Sequence, residues 1–275
     1  MTISTFTLRS LPVLLSSSII AHDQGVSLKD TNSRLRHTVE SVENWLRLDP
    51  NLAIVICDGS GFDIKSVIES RFLGANIEYL KFESDPALVV KFGRGYGEAE
   101  IIKYALKNSR EILGAGCFVK CSAKLWVRNV HECLNWWNGD FLCKGVFLEV
   151  FSPFKKTEFH HIDTRFYVAS KSFYEQYFMD AHQKINVEVG YGLEECFRDV
   201  LKQSGIRGAL LPVPSIIEGV GGGTAKYYRN STSRVFKERL RLALVRDRLE
   251  FSPLFADGNH VRTHGNSLNF QFPQK

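Results

Sequence analysis

The chain has 275 residues, 44% hydrophobic and 24% charged, with 20 Phe and 9 Tyr, which excludes a disordered chain and provides for one large domain, or one domain with a substantial appendage, around a packed core. The best apolar stretch, 11–21, is interrupted by Ser16, Ser17 and Ser18 and is far short of the roughly 20 residues that a spanning helix needs. The net charge is +5, and eight basic against three acidic residues between 226 and 250 account for all of it, so a basic C-terminal segment adjoins a nearly neutral body.

Residues 11–20 read as a buried first strand. Only Arg9 precedes the apolar run and no small-residue cleavage site follows it, so a signal peptide is not expected and the protein is placed in the cytoplasm. Helical spacing over 33–48 leads to a short apolar run, 52–57, which ends in Asp58-Gly59-Ser60-Gly61. A helix over 63–72, a strand over 77–82, a helix over 98–113 and a strand over 117–127 follow. This alternation predicts a mostly parallel sheet with helices on both faces. In the second half, 141–151 and 162–169 read as strands added antiparallel. A helix is expected over 193–203, a strand over 208–217 running into Gly221-Gly222-Gly223, and a basic amphipathic helix over 233–249, with an extended tail after Ser252. The expected division is a main domain, 1–225, and a basic helical extension with its tail, 226–275.

Six Cys are present without a CxxC pair. Cys117 and Cys121 share one strand face, which suggests a bridge, but reduced thiols packed as small hydrophobes are the plainer reading.

Ligands of an open parallel sheet bind beyond the carboxyl ends of its strands. That rule selects Ser16 to Ser18, and Asp58, whose carboxylate suits a base N–H or a ribose hydroxyl unless it serves only the Asp-Gly turn. It also selects Gly93-Arg94-Gly95-Tyr96-Gly97, read as a glycine loop leading into a helix whose N–H groups, with Arg94, would meet an anion. A dinucleotide site would place such a loop after the first strand, so NAD is not expected. Lys120 and Lys124, flanking Ser122, offer ammonium groups for a leaving diphosphate, and Asp-x-Asp is missing from the chain. In His160-His161-Ile162-Asp163-Thr164-Arg165-Phe166, Asp163 and Arg165 share a strand face and suit substrate hydroxyl or phosphate contacts. The two imidazoles point apart if extended, so a metal is not assigned to them. Glu194 and Glu195 open a helix, where acidic residues also favour the dipole. They diverge by about 100°, so one faces a site, and Glu194 is taken as the base.

Taken in order, Gly93-Arg94-Gly95-Tyr96-Gly97-Glu98-Ala99, Lys120 to Lys124, Asp163-Thr164-Arg165-Phe166 and Leu193-Glu194-Glu195-Cys196-Phe197 resemble the GT-A glycosyltransferases, in particular bacterial enzymes that build capsule or lipopolysaccharide glycans. The likeness spans 11–223. Ala123 stands where the family pattern has glycine, and the acidic metal motif is missing. The resemblance implies a GT-A-like, Rossmann-type fold and a hexosyltransferase-like enzyme. A nucleotide sugar would be held by Ser16, Asp58, Arg94, Gly95, Gly97, Lys120, Ser122, Lys124 and Arg165, with Glu194 and Asp163 catalytic. The acceptor would be a growing surface glycan or a lipid-diphosphate-linked glycan, transfer would proceed with inversion, and no cofactor is expected beyond a non-essential divalent cation. Outside the match, 226–250 is expected to touch the inner face of the cytoplasmic membrane, and no nucleic-acid partner is implied. Retention stays open beside inversion. Two other readings stand: a sugar nucleotidylyltransferase, or a non-catalytic glycan-assembly or binding protein.

Overall fold

The computed structural model describes residues 8–23 and 25–257. Six strands form the main sheet: β1 (Val13–Ser17), β2 (Ile54–Asp58), β3 (Ile77–Lys81), β4 (Cys117–Ser122), β6 (Phe141–Leu148) and β7 (Glu158–Ser170), in the order β3-β2-β1-β4-β7-β6. β1 pairs in parallel with β2 and β4, and β2 with β3, whereas β7 runs antiparallel to both β4 and β6. Only β7 therefore opposes the common direction, and the fold is the mostly parallel α/β sheet that the strand–helix alternation predicts.

Residue alternation sorts the core onto the two faces. Val13, Leu15, Ile54, Ile56, Val119 and Cys121 pack with Val42 and Trp45 of α1 (Thr31–Leu48). Leu14, Val55, Cys57 and Phe118 pack on the other face with Ile102 and Leu106 of α4 (Arg94–Asn108), Ile112 of α5 (Arg110–Ala115) and Phe197 of α8 (Leu193–Gln203). α1 begins where the Asp30 carboxylate accepts from the Ser33 N–H, a side-chain cap that satisfies one orphan donor. All six cysteines are free thiols, five of them buried, so no bridge joins Cys117 to Cys121.

Several boundaries differ from the sequence reading. The stretch expected as one strand over 117–127 turns at Ala123 and Lys124, and its second half, β5 (Leu125–Val127), joins a separate small sheet with β8 (Ile217–Val220) and β9 (Tyr227–Tyr228). The strand expected over 208–217 is mostly irregular, touching its neighbours through isolated bridges at Leu210. Beyond Asp58 the chain forms α2 (Lys65–Arg71), and after β3 it forms α3 (Pro86–Phe92), whose first turn is set by Pro86 and capped by Asp85. α6 (Val130–Leu134) and α7 (Lys171–Tyr177) complete the layers, and α9 (Thr232–Arg246) packs Leu242 and Val245 into the core. The division expected at 225 falls inside the β8–β9 hairpin. The tail expected after Ser252 opens with a 3-10 turn at Ser252–Leu254, and from 258 on it lies outside the described residues. No helix among the described residues is long and apolar enough to cross a membrane.

Candidate active site

A cleft of about 570 Å³ opens at the carboxyl ends of β1 and β4. It is bounded by the first turns of α4 and α8, the middle of β7 and the loop that joins β8 to β9. Nine of the eleven residues singled out from the sequence line it: Ser16, Arg94, Gly95, Gly97, Ser122, Lys124, Asp163, Arg165 and Glu194. The other two, Asp58 and Lys120, lie beneath it.

Asp58 is almost fully buried, and its oxygens accept from the Ile19 and Ser60 N–H groups and the Ser60 hydroxyl. The carboxylate expected to meet a base or ribose is instead spent on fixing the loop after β1 to the loop after β2. Lys120 has no exposed surface. Its ammonium donates to Glu98 Oε1 at 2.5 Å and to the Thr164 carbonyl at 2.6 Å, and Glu98 also accepts from the hydroxyls of Ser16 and Ser122. Lys120 is thus neutralised in place and joins β1, β4, α4 and β7 under the cleft floor, rather than facing a diphosphate.

The expected glycine loop is not a loop. Gly93, at φ +80°, separates α3 from α4, and Gly95 and Gly97 lie in the first turns of α4 itself. A Cβ at Gly95 would stand 3.1 Å from Leu193 Cβ, and one at Gly97 would stand 3.2 Å from Val89 Cγ2. These glycines let α4 approach α8 and α3 closely. The glycines that meet charged groups are further along: a Cβ at Gly223 would collide with the Arg94 guanidinium, and one at Gly222 would press on Lys124 Cε at 3.0 Å, with Arg34 Nη1 at 3.7 Å. Arg34, Glu98 and the Gly221-Gly222-Gly223 turn were not singled out from sequence as site residues. The run of three glycines was the available signal, whereas Arg34 sits inside a helix pattern that marks nothing.

Lys124 is the unusual group. It is only 7% exposed, and no carboxylate lies within ion-pair distance of it among the described residues. Burial and the neighbouring Arg34 push its ammonium down to about 7, against opposing pulls from Asp58 and Glu98. Arg34 is itself buried and donates only to the carbonyls of Ser18 and Leu28, so its charge also has no carboxylate in contact. Arg94 is exposed at the cleft edge, with no ion pair among the described residues. Three cations thus surround one glycine turn, none of them in ion-pair contact with a carboxylate among the described residues, while Asp23, Glu98, Asp163 and Glu194 line the same cleft.

In the same cleft, burial raises the Glu194 carboxyl above the usual range, reinforced by the charge of Glu98, while Thr164 Oγ1 donates to Glu194 Oε1 at 3.0 Å. Its neighbour Glu195 turns back to accept from the Gly192 N–H at 2.9 Å, closing the helix start. The two carboxylates diverge as the helix angle requires. Asp163 is held in a two-bond fork by Arg165, at 2.8 and 2.5 Å. Burial pushes the Asp163 carboxyl up, but Arg165 outweighs it and holds the group below the ordinary range. The Arg165 guanidinium lies 4.9 Å from the centre of the Tyr228 ring. At the far edge, His160, His161 and Glu195 bring ligand atoms within 4.8 Å of one another. A register shift in the β6–β7 pairing between Val146 and Phe147 skips His160 and allows both imidazoles near one carboxylate.

No family model and no curated protein matches the chain. Among solved structures, a provisionally assigned nucleotide-diphospho-sugar transferase from Desulfovibrio desulfuricans G20 aligns at 10% identity over 71% of this chain and 77% of its own, with a TM-score of 0.43. A glycosyltransferase involved in glycosylation of the major capsid of PBCV-1 aligns at 13% identity over 73% and 80%, TM-score 0.39. A 4-diphosphocytidyl-2C-methyl-D-erythritol synthase aligns at 11% identity over 85% and 98%, TM-score 0.41. At this degree of overlap, a functional reading rests on the cleft's own residues.

Proposed function

We propose that the chain is a GT-A-like glycosyltransferase that moves a sugar from a nucleotide-sugar donor to an acceptor hydroxyl. The observation that carries this reading is the buried Lys124 ammonium beside Arg34 in an open cleft, with no carboxylate within ion-pair distance among the described residues. A cation held there without a counter-charge is costly to the fold, and a pyrophosphate supplies the missing charge. Lys124, Arg34 and Arg94 would bind the donor's diphosphate around the Gly221-Gly222-Gly223 turn, with Ser16 and Ser122 adding hydroxyls. Arg165, aimed by Asp163 and stacked on Tyr228, would orient the sugar or its phosphate.

In the transfer step the acceptor oxygen attacks the anomeric carbon while Glu194 takes its proton. The bond from that carbon to the phosphate oxygen breaks, and its electron pair leaves with the nucleoside diphosphate, whose new charge the three cations balance. A single general base, Glu194, supports inversion. Three cations around one turn support charge balance without a divalent metal, in a cleft that Asp23, Glu98, Asp163 and Glu194 also line. Following the motif resemblance, the acceptor would be a surface-polysaccharide chain of the capsule or lipopolysaccharide kind, or its lipid-diphosphate-linked precursor, met at the cytoplasmic membrane.

Incubation with UDP-, GDP- and CMP-sugars in EDTA tests the reading. Release of nucleotide that depends on an added glycan acceptor is the expected result. Release of pyrophosphate from a nucleoside triphosphate and a sugar phosphate would indicate nucleotidyl transfer instead, and binding without turnover would indicate a non-catalytic protein.

A further inference from the structure

Apart from the cleft, the basic segment has a geometry of its own. α9 turns Leu242 and Val245 into the core and leaves Phe236 70%, Leu240 45% and Leu244 39% exposed. Spaced four apart, these three form one stripe along the outer face of the helix. At 100° per residue, Lys237 and Arg241 lie along one side of the stripe and Arg239 and Arg246 along the other. Lys237 and Arg246 are exposed and have no carboxylate partner among the described residues, Arg246 lying over Trp136 at 5.9 Å, whereas Arg239 pairs with Glu132 and Arg241 with Glu238.

A second element reaches the same side. Lys237 and Arg241 stand over the ring of Phe151, at 5.7 and 5.5 Å, in the turn between β6 and β7. Three residues on, Phe154 is 95% exposed. An exposed aromatic in the same connection as Phe151, together with an outward apolar helix stripe, is costly in water, and positive charges on both flanks do not suit an ordinary protein core.

We propose that this face, Phe236, Leu240 and Leu244 with the Phe154 tip, docks on an anionic lipid surface, the apolar groups entering the boundary of the acyl chains while the basic flanks meet the headgroups. The stripe and its flanks match the two parts of such a surface, apolar below and negative above. The inner face of α9 borders the cleft: Glu238 pairs with Lys144 at 2.9 Å, and Lys144 lines the cleft wall. Docking would therefore hold the cleft mouth near the membrane, within reach of an acceptor carried by a lipid. The lipid contact is independent of the transfer reaction and is measured without any sugar nucleotide.

The test is sedimentation of the full chain with vesicles of phosphatidylcholine alone or in equal parts with phosphatidylglycerol. Binding to the anionic vesicles, weakened by high salt, is expected. Phe236→Ser/Leu240→Ser and Lys237→Glu/Arg246→Glu should each reduce the bound fraction by about tenfold, with circular dichroism and nucleotide binding unchanged. Equal sedimentation with neutral and anionic vesicles, or full binding by both variants, overturns the proposal. So does a dimer that Phe236→Ser/Leu240→Ser dissociates in a chain that binds no vesicles, which would assign the stripe to a second copy.

Discussion

Glu194 and Lys124 line one cleft, and their environments push them toward each other on the pH scale. Burial raises the carboxyl of the first and brings the ammonium of the second down to about 7. The free protein should therefore show a bell-shaped kcat/KM, its acid limb set by protonation of Glu194 above the ordinary carboxylate range and its basic limb by loss of the Lys124 proton near 7. Glu194→Gln should lower kcat by about 10²–10⁴-fold with donor affinity retained, measured by titration calorimetry beside turnover. Unchanged turnover would remove Glu194 from the mechanism.

Lys124→Met should separate stability from function in opposite directions. The folded ammonium has a lower pKa than the unfolded one, so between about 7 and the ordinary lysine value the unfolded chain binds more protons, and the fold gains stability as pH rises through that window. Removing the cation should raise stability at pH 6 by roughly 1–3 kcal/mol and flatten that pH dependence, while nucleoside diphosphate affinity falls. Lys120 should behave in the contrary way. Lys120→Met leaves Glu98 without its buried partner and should cost about 3–5 kcal/mol, read by urea unfolding. Sequence alone treated these two lysines as equivalent because they share a segment. What separates them is that β4 ends at Ser122, so Lys120 is still in the sheet above Glu98 while Lys124 is in the turn that faces the cleft.

At the scale of elements, the start of α4 and the start of α8 define the catalytic wall, and their spacing depends on Gly95. Gly95→Val would drive a branched side chain into Leu193, the residue before Glu194. It should destabilise the fold by about 1–3 kcal/mol and reduce kcat more than donor affinity, since α8 carries the base, while two of the three cations, Lys124 and Arg34, lie on other elements. The helices with clear apolar periodicity were legible in sequence: 193–203 was placed to the residue and α1 to within two at its start. The Gly93-to-Gly97 segment was misread because alternate glycines resemble a phosphate loop, whereas here they are the price of close helix packing. The 208–217 strand failed for a similar reason. Its apolar residues are buried, but against Phe255 and Cys143 through isolated bridges rather than in a ladder.

For the whole molecule, strand–helix alternation specifies the mostly parallel sheet, and the rule that ligands sit beyond its carboxyl ends brings nine of the chosen residues to one cleft. What sequence could not supply was the return of the Gly221-Gly222-Gly223 turn, more than 180 residues after Arg34, to lie between Arg34, Arg94 and Lys124. That closure depends on the small β5–β8–β9 sheet, whose strands are short and whose β5–β8 pairing is long-range. It gathers three cations around one turn, in a cleft that Asp23, Glu98, Asp163 and Glu194 also line. Calorimetric titration of the protein with nucleoside diphosphates in EDTA addresses that patch directly. Binding that persists in EDTA, weakens as pH rises through 7 and is lost in Lys124→Met is the predicted result; binding that requires added Mn²⁺, or that Lys124→Met leaves intact, would contradict it.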